Sequence, residues 1–297
     1  MKILVTGGAG FIGKYLVEKF LKEHEVRIYD NLSSSEQNIT SLIGQGADFV
    51  KGDILDYKTL EKSSKGYDVI IHLAAKSDVV KSVSNPKETL DVNVNGTTNV
   101  LKACVENKIP KIIFASSSAV YGDCKDFPIT EDTITNPISP YGSSKLEAEK
   151  KIKDIAKKNG INYIILRMFN VYGKGQNELY AGVITKFLKN ISENKEIIIF
   201  GDGKQTRDFI SINDVVKSFE CALKSNQNET YNIASGKSIS INELSKMILK
   251  HFDKKIKIKY KEEQKGDIKN SMTDITLAKN KLGFFAKNKL EDELQKF

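Results

Sequence analysis

The sequence predicts an α/β protein, a doubly wound parallel sheet with a smaller C-terminal α/β lobe. Two observations predict the sheet: residues 1–168 alternate short β-branched runs with amphipathic stretches, and a glycine-rich run joins the first strand pattern to the first helix pattern. A third sets the scale: 297 residues with 40% hydrophobic content can bury one large core, or one core carrying a smaller lobe.

Taken in order, the candidate strands are 2–6, 25–29, 48–51, 68–72, 111–115 and 162–167, each short and rich in β-branched residues, as in a sheet covered on both faces. Candidate helices between them are 11–22, 57–64, 86–107 and 140–158. The last is the best bounded. Ser139 is its N-cap, Pro140 fits the first helical position, where no N–H is needed, and Gly160 stands just past the end. Beyond Gly173 the pattern loosens to a helix near 180–190, a strand 196–200 and a helix 213–224. The sequence has no clean linker, internal repeat or low-complexity tract, and 33–35 reads as a loop.

The formal net charge of +8 raises the question of nucleic acid, and the distribution of the charge answers it. Lysine dominates; the arginines are Arg27, Arg167 and Arg207. The lysine clusters at 150–158 and 250–261 are interrupted by acids and by isoleucines at helix or strand period, which makes them solvated faces. Base reading normally uses arginines and aromatic platforms, so no nucleic-acid partner is expected. No apolar run approaches a bilayer span, and the start of the chain leads straight into a strand, so a cytoplasmic location is expected. Cys104, Cys124 and Cys221 are widely spaced and share no ligand spacing with His24, His72 and His251, so neither disulfide nor zinc is expected.

After the first strand comes Thr6-Gly7-Gly8-Ala9-Gly10-Phe11-Ile12-Gly13, opening a helix. A backbone without side chains at Gly7 and Gly10 lets a pyrophosphate sit against the N–H groups around Phe11 and Ile12, and Gly13 permits close packing of helix on strand. Asp30, followed by Asn31, ends the second strand, where a carboxylate accepts both ribose hydroxyls of an adenosine and repels a 2′-phosphate. The cofactor expected is therefore NAD. Asp53 and Ile54 follow the third strand and suit an adenine edge, although an Asp there is also a common helix cap. Leu73-Ala74-Ala75 ends the fourth strand with small residues that allow close approach of a cofactor.

Tyr141-Gly142-Ser143-Ser144-Lys145 begins the well-capped helix, so Tyr141 and Lys145 are i, i+4 neighbours on one face. A phenol has a pKa of ~10 and is a poor base, but a neighbouring ammonium and a nicotinamide cation both favour its phenolate. Ser116-Ser117-Ser118 lies at the C-terminal end of the fifth strand, the edge at which open α/β sheets hold ligands.

These residues carry a resemblance. The chain is similar over nearly its whole length to the extended short-chain dehydrogenases/reductases, and most to the UDP-glucose 4-epimerase group, with a Rossmann-like sheet. The matching motifs are Thr6 to Gly13, His72-Leu73-Ala74-Ala75, Asn93-Val94-Asn95-Gly96-Thr97, Ser116 to Gly122, the Tyr141/Lys145 pair, Arg167 to Gly173, and Gly201-Asp202-Gly203 leading into Gln205-Thr206-Arg207-Asp208. The resemblance implies Tyr141 as acid/base, Lys145 as its modulator and nicotinamide-ribose ligand, Ser117 as the bridge to the sugar O4, and Asn93 among the cofactor contacts. It implies a reaction in which hydride leaves C4 for NAD and returns to the opposite face of a rotated 4-keto sugar. Asn170 and Arg207 match positions that hold the diphosphate of a UDP-sugar, joined by Lys265 and Asp267. Ser271 falls where bulk limits the room beside the sugar C2, so a small residue there leaves space for an N-acetyl group; a surface loop without pocket contact is the alternative.

Gln264 departs from the family, which usually has a phosphate-binding arginine there; Lys265 supplies at most a point charge. Ser118 and Ala119 follow Ser117 where a 4,6-dehydratase would carry an acid pair, which disfavours dehydration, and a UDP-glucuronate decarboxylase would need a glutamate. A reductase using NADP conflicts with Asp30, and a non-catalytic NAD sensor conflicts with the intact Ser117, Tyr141 and Lys145. The expected division is an NAD-binding part, 1–172 with about 205–234, and a nucleotide-sugar lobe, about 173–204 and 235–297. The resemblance also implies a homodimer through the helices at 86–107 and 140–158.

Overall fold

A computed structural model describes residues 1–34, 37–176, 182–263 and 268–297. The first half builds strand by strand: β1 (Lys2–Thr6), α1 (Phe11–Phe20), β2 (Glu25–Asp30), α2 (Gln37–Gly44), β3 (Asp48–Lys51), α3 (Tyr57–Ser63), β4 (Val69–His72), α4 (Val79–Ser84), α5 (Pro86–Leu90), α6 (Thr97–Glu106), β5 (Lys111–Ser117), α7 (Pro140–Asn159) and β6 (Asn162–Met168). The expected single helix over 86–107 is interrupted by a π-helical turn at Asp91–Gly96, between α5 and α6. One extra residue per turn there lets Asn93 reach sideways into the protein, as described below. Helix α7 has the expected ends: the Ser139 side chain accepts from the Gly142 N–H, and Gly160 closes the helix at φ 67°. Only glycine adopts that left-handed geometry without a Cβ penalty.

The second half contributes β7 (Asn170–Tyr172), α8 (Val183–Ser192), β8 (Ile197–Phe200), β9 (Thr206–Ser211), α9 (Ile212–Lys224), β10 (Glu229–Ile233), β11 (Ser238–Ser240), α10 (Ile241–His251) and β12 (Ile258–Lys261). Strand β10 joins the six predicted strands, so that among the described residues the main sheet has seven, in the order β10-β6-β5-β4-β1-β2-β3, all parallel.

Period-two alternation assigns each strand residue a face. Ile3, Val5, Ile28, Ile71, Ile113 and Leu166 pack with Leu16, Val17 and Phe20 of α1 and Val215 and Phe219 of α9. Leu4, Tyr29, Ile70, Ile112, Phe114 and Ile165 face the other way, onto Val100, Leu101 and Cys104 of α6 and Ala148 and Ile152 of α7. A separate cluster holds the later elements: Ile184, Phe187 and Ile191 of α8, Ile197 and Ile199 of β8, and Leu244 and Ile248 of α10, with Tyr172 and Phe209. The small sheets β11-β9-β7 and β12-β8 belong to this half. Sheet order reverses between β1 and β4, the point where an open α/β sheet leaves a crevice at its C-terminal edge. No helix among the described residues is long and apolar enough to cross a membrane.

Candidate active site

That crevice is a cleft of about 1510 Å³, which exceeds the ~300–1,000 Å³ of an ordinary single-ligand pocket and leaves room for two ligands end to end. At one end lies the turn after β1. Gly7 has φ 74°, and a Cβ there would stand 2.6 Å from the Ala74 backbone nitrogen, so only glycine lets β1 and β4 close at this point. A Cβ on Gly13 would collide with the Gly7 carbonyl, whereas one on Gly10 would meet little beyond that oxygen, at 3.3 Å. The two glycines thus have different uses. Gly13 seats α1 on the turn, and Gly10 keeps the cleft open before the first-turn N–H groups, which have no intrahelical acceptors. Gly7, Gly10, Phe11, Ile12 and Gly13 all line the cleft.

Asp30, 8% exposed, accepts from the Ala9 N–H at 3.0 Å and the Leu32 N–H at 2.8 Å. Burial raises its pKa, and those two bonds offset only part of that rise. Asn31 donates to the Asp53 carboxylate at 2.8 Å, and the other Asp53 oxygen accepts from the Leu55 N–H at 2.8 Å. Asp53 is therefore not the cap of α3; that is Asp56, which accepts from the Thr59 N–H. Asp30, Asn31, Asp53, Ile54, Leu73, Ala74 and Ala75 share the wall of the cleft, and this open helix end beside a buried carboxylate fits an adenine dinucleotide.

Asn93 does not share that wall. It is 2% exposed, its Oδ1 accepts from the Lys76 N–H at 2.8 Å, and its Nδ2 donates to the Lys76 carbonyl at 3.0 Å and the Ser144 hydroxyl at 2.8 Å. With both amide hydrogens engaged by protein groups, Asn93 braces the wall behind the cleft. Ser144 in turn donates to the Tyr141 carbonyl at 2.7 Å, so the strut fixes the first turn of α7. Beside it, buried His72 bridges Thr6 at 2.7 Å and Thr97 at 2.9 Å. Its pKa falls to about 3, first by burial and then by the Lys145 charge, so the ring is neutral.

Ser117, Tyr141 and Lys145 line the same cleft. Ser117 ends β5, its Oγ accepts from the Ala119 N–H at 3.2 Å, and its hydroxyl lowers the pKa of the Tyr141 phenol. Lys145, 3% exposed, donates from Nζ to the Ala115 carbonyl at 2.8 Å and lies 5.9 Å from the Tyr141 ring centre. Electrostatics depart from the expectation here. Burial raises the Tyr141 pKa, the Ser117 bond offsets only part of that, and burial pushes Lys145 down to about 7 against the opposing pull of Glu149. Desolvation of both groups outweighs their proximity.

At the far end Asn170 and Arg207 line the cleft. Asn170 donates to the Asp208 carbonyl at 2.9 Å, and one Arg207 nitrogen donates to the carbonyls of Thr206 at 2.8 Å and Ile268 at 2.5 Å. Ser271 is not on the cleft wall: it is buried, its N–H donates to Thr206 Oγ1 at 3.1 Å, and its carbonyl accepts from Ser238. Both contacts are made by the backbone of Ser271. Gln264, Lys265 and Asp267 lie outside the described residues. The sequence reading missed Lys76 and Lys81 on the near wall and Phe187, Asn190 and Phe200 on the far wall. A strongly apolar helix face at 183–192 signals Phe187, but nothing local distinguishes a cleft residue from a core one.

Residues 3–234 match the model of the NAD dependent epimerase/dehydratase family. The chain belongs to this family. Among relatives of this epimerase/dehydratase, a putative UDP-glucose 4-epimerase of Methanocaldococcus jannaschii is 42% identical over 282 residues, covering 94% of this chain and 91% of that one. The solved UDP-glucose 4-epimerase of Thermotoga maritima with UDP-glucose superposes with a TM-score of 0.95 at 35% identity, over 99% of this chain and 96% of that structure. The UDP-N-acetylglucosamine 4-epimerase of Methanobrevibacter ruminantium M1, in complex with UDP-N-acetylmuramic acid, gives 0.95 at 37% over the same shares. The Ser117, Tyr141 and Lys145 cluster of this epimerase/dehydratase thus lies in a scaffold shared with 4-epimerases of UDP-sugars.

Proposed function

We propose that the protein interconverts the C4 epimers of a UDP-hexose, with UDP-glucose and UDP-galactose as its substrate pair and NAD retained through the cycle. The observation that carries this reading is a serine, a tyrosine and a lysine lining the same large cleft as a dinucleotide-type turn and Arg207. Gly7 to Gly13 hold the pyrophosphate at the start of α1, Asp30 and Asn31 the adenosine ribose, Asp53 and Ile54 the adenine, and Leu73 to Ala75 the passage toward Lys145 and the nicotinamide ribose. When bound, the nicotinamide accepts a hydride from the sugar C4 and returns it. Tyr141 takes the O4 proton and gives it back, Ser117 bridges phenol and O4, and the Lys145 ammonium favours the phenolate. Asn170 and Arg207 hold the diphosphate, with Lys265 and Asp267 as further candidates, leaving the hexose free to turn. The lobe of about 173–204 and 235–297 is assigned to the nucleotide sugar, and a homodimer through α5, α6 and α7 follows the same analogy.

Dehydration is disfavoured because the helical turn after Ser117 carries Ser118 and Ala119, neither of them an acid. The decisive experiment uses enzyme as purified: nucleotide released on denaturation should be NAD, and UDP-galactose should become UDP-glucose with no cofactor added. Chromatography of products from a panel that includes UDP-N-acetylglucosamine, UDP-glucuronate and dTDP-glucose fixes the substrate. UDP-xylose from UDP-glucuronate would replace this reading with a decarboxylase, and bound NAD with every sugar unchanged would replace it with a sensor.

A further inference from the structure

We propose that Glu149 is a positioning residue of this site, a buried carboxylate that holds the end of β5 and supplies the counter-charge for Lys145. Its consequence for turnover rests on the epimerase reading; its action on Lys145 does not. Lys145 and Glu149 are one helical turn apart on α7 and grip consecutive residues of β5: Lys145 Nζ donates to the Ala115 carbonyl at 2.8 Å, and Ser116 Oγ donates to Glu149 Oε1 at 2.5 Å. The next residue is Ser117. Two side chains of one helix thus fix the strand end from which the bridging hydroxyl projects.

Glu149 is 1% exposed and fully engaged. Arg167 Nε lies 3.0 Å from Oε1 and 3.3 Å from Oε2, and Arg167 also donates to Oε2 at 2.7 Å. The remaining Arg167 nitrogen donates to the Tyr121 hydroxyl at 2.9 Å and the Glu131 carbonyl at 3.3 Å, and Tyr121 donates to Asn232 at 2.6 Å. A buried pair of this kind contributes little net stability compared with apolar residues of similar volume, so stability alone does not account for it. The surroundings of Lys145 do. Facing it are Tyr141 on its own helix, the neutral His72 on β4, the Phe114 ring and Ala115 carbonyl on β5, and Arg167 on β6 beyond the carboxylate. Glu149 supplies the negative charge that opposes the desolvation of Lys145.

The sign follows directly. Burial depresses Lys145 to about 7 and Glu149 resists that depression, so removing the carboxylate neutralises the lysine at a lower pH. The test is a titration of the full chain carrying 13Cε-labelled lysine, with and without its nucleotide; the Lys145 resonance is assigned by its loss in Lys145→Arg. In Glu149→Gln the nucleotide-free midpoint should fall by about one pH unit or more. The alkaline limb of the turnover profile should move acidward with it, whereas a purely structural role would scale the profile without moving it. If Glu149→Gln fails to fold because Arg167 is stranded, Glu149→Gln/Arg167→Met leaves no lone buried charge and should lower the midpoint by less, since the more distant positive charge is removed with the carboxylate. An unchanged midpoint in either folded variant overturns the proposal. A shifted midpoint in a protein that turns over no UDP-sugar sustains it and removes the epimerase reading instead.

Discussion

The two ends of the cleft are built differently. Around Ser117, Tyr141 and Lys145 the walls are regular elements, β5 and α7, backed by the Asn93–Ser144 and Glu149–Arg167 networks, whose polar atoms are partnered within the protein. Around Arg207 and Asn170 they are short strands in two- and three-stranded sheets, with half-buried side chains leaning on backbone carbonyls. Under the proposed function, the contrast separates two kinds of work. Proton movement needs groups fixed to a fraction of an ångström in a desolvated pocket, whereas holding a diphosphate needs charge and reach. Substitutions in the first region should therefore act on kcat, and those in the second on KM.

The largest effect is expected from Tyr141→Phe, which removes the ionisable oxygen and keeps the ring. Turnover should fall by about 100-fold or more, with melting temperature and retained NAD unchanged. Near wild-type turnover would make Tyr141 a structural residue of α7 and erase the contrast between the two regions. Next comes cofactor choice. Asp30 is buried and held by two backbone N–H groups, so it cannot swing away from a 2′-phosphate. Stripped enzyme should bind NAD at least ~10-fold more tightly than NADP, about the effect of one unit of like-charge pKa shift. Asp30→Ser should narrow that ratio, and equal binding of the two cofactors by the wild type would refute the assignment.

The same contrast explains what the sequence made legible. Six strands of the main sheet, the turn at Gly7 to Gly13 and the ends of α7 were readable because each is written locally, as period, glycine placement or cap. Strand β10 was missed because Glu229–Ile233 is a short, mixed run that becomes a strand by pairing with β6. Helix α10 was missed despite a local signal, the capping box in which Ser240 and Glu243 satisfy each other's backbone N–H. A motif fixes that Asn93 is present but not that its amide ties Lys76 to Ser144. Alignment along a loop likewise carries no information about which side of the backbone at Ser271 meets the cleft.

A smaller effect is expected on the nucleotide-sugar side. Arg207→Lys keeps the charge but loses the planar fork, so KM for the UDP-sugar should rise by roughly tenfold with kcat little changed, since the lost interaction is made equally in ground and transition states. Steady-state kinetics would check the split, and an equal fall in kcat would mean that Arg207 belongs functionally with Tyr141.

The smallest effect tests whether the catalytic region depends on its local helix signals. Ser139 caps α7 by accepting from the Gly142 N–H at 3.1 Å, and the Ser143 N–H bonds to the Ser139 carbonyl at 2.9 Å, so the cap lies two residues before Tyr141. Replacing the hydroxyl strands one N–H of the first turn, a loss of about 1 kcal/mol in Ser139→Ala. Tyr141 is also held from behind, by the Ser144 bond to its carbonyl and by its own N–H donated to Ser82 at 3.2 Å. Those bonds do not pass through the cap. The melting temperature should therefore fall by a few degrees, while kcat well below the transition stays near the wild-type value. A loss of kcat in step with the loss of stability would show that the first turn of α7 frays without its cap, and that the buried network alone does not fix the phenol.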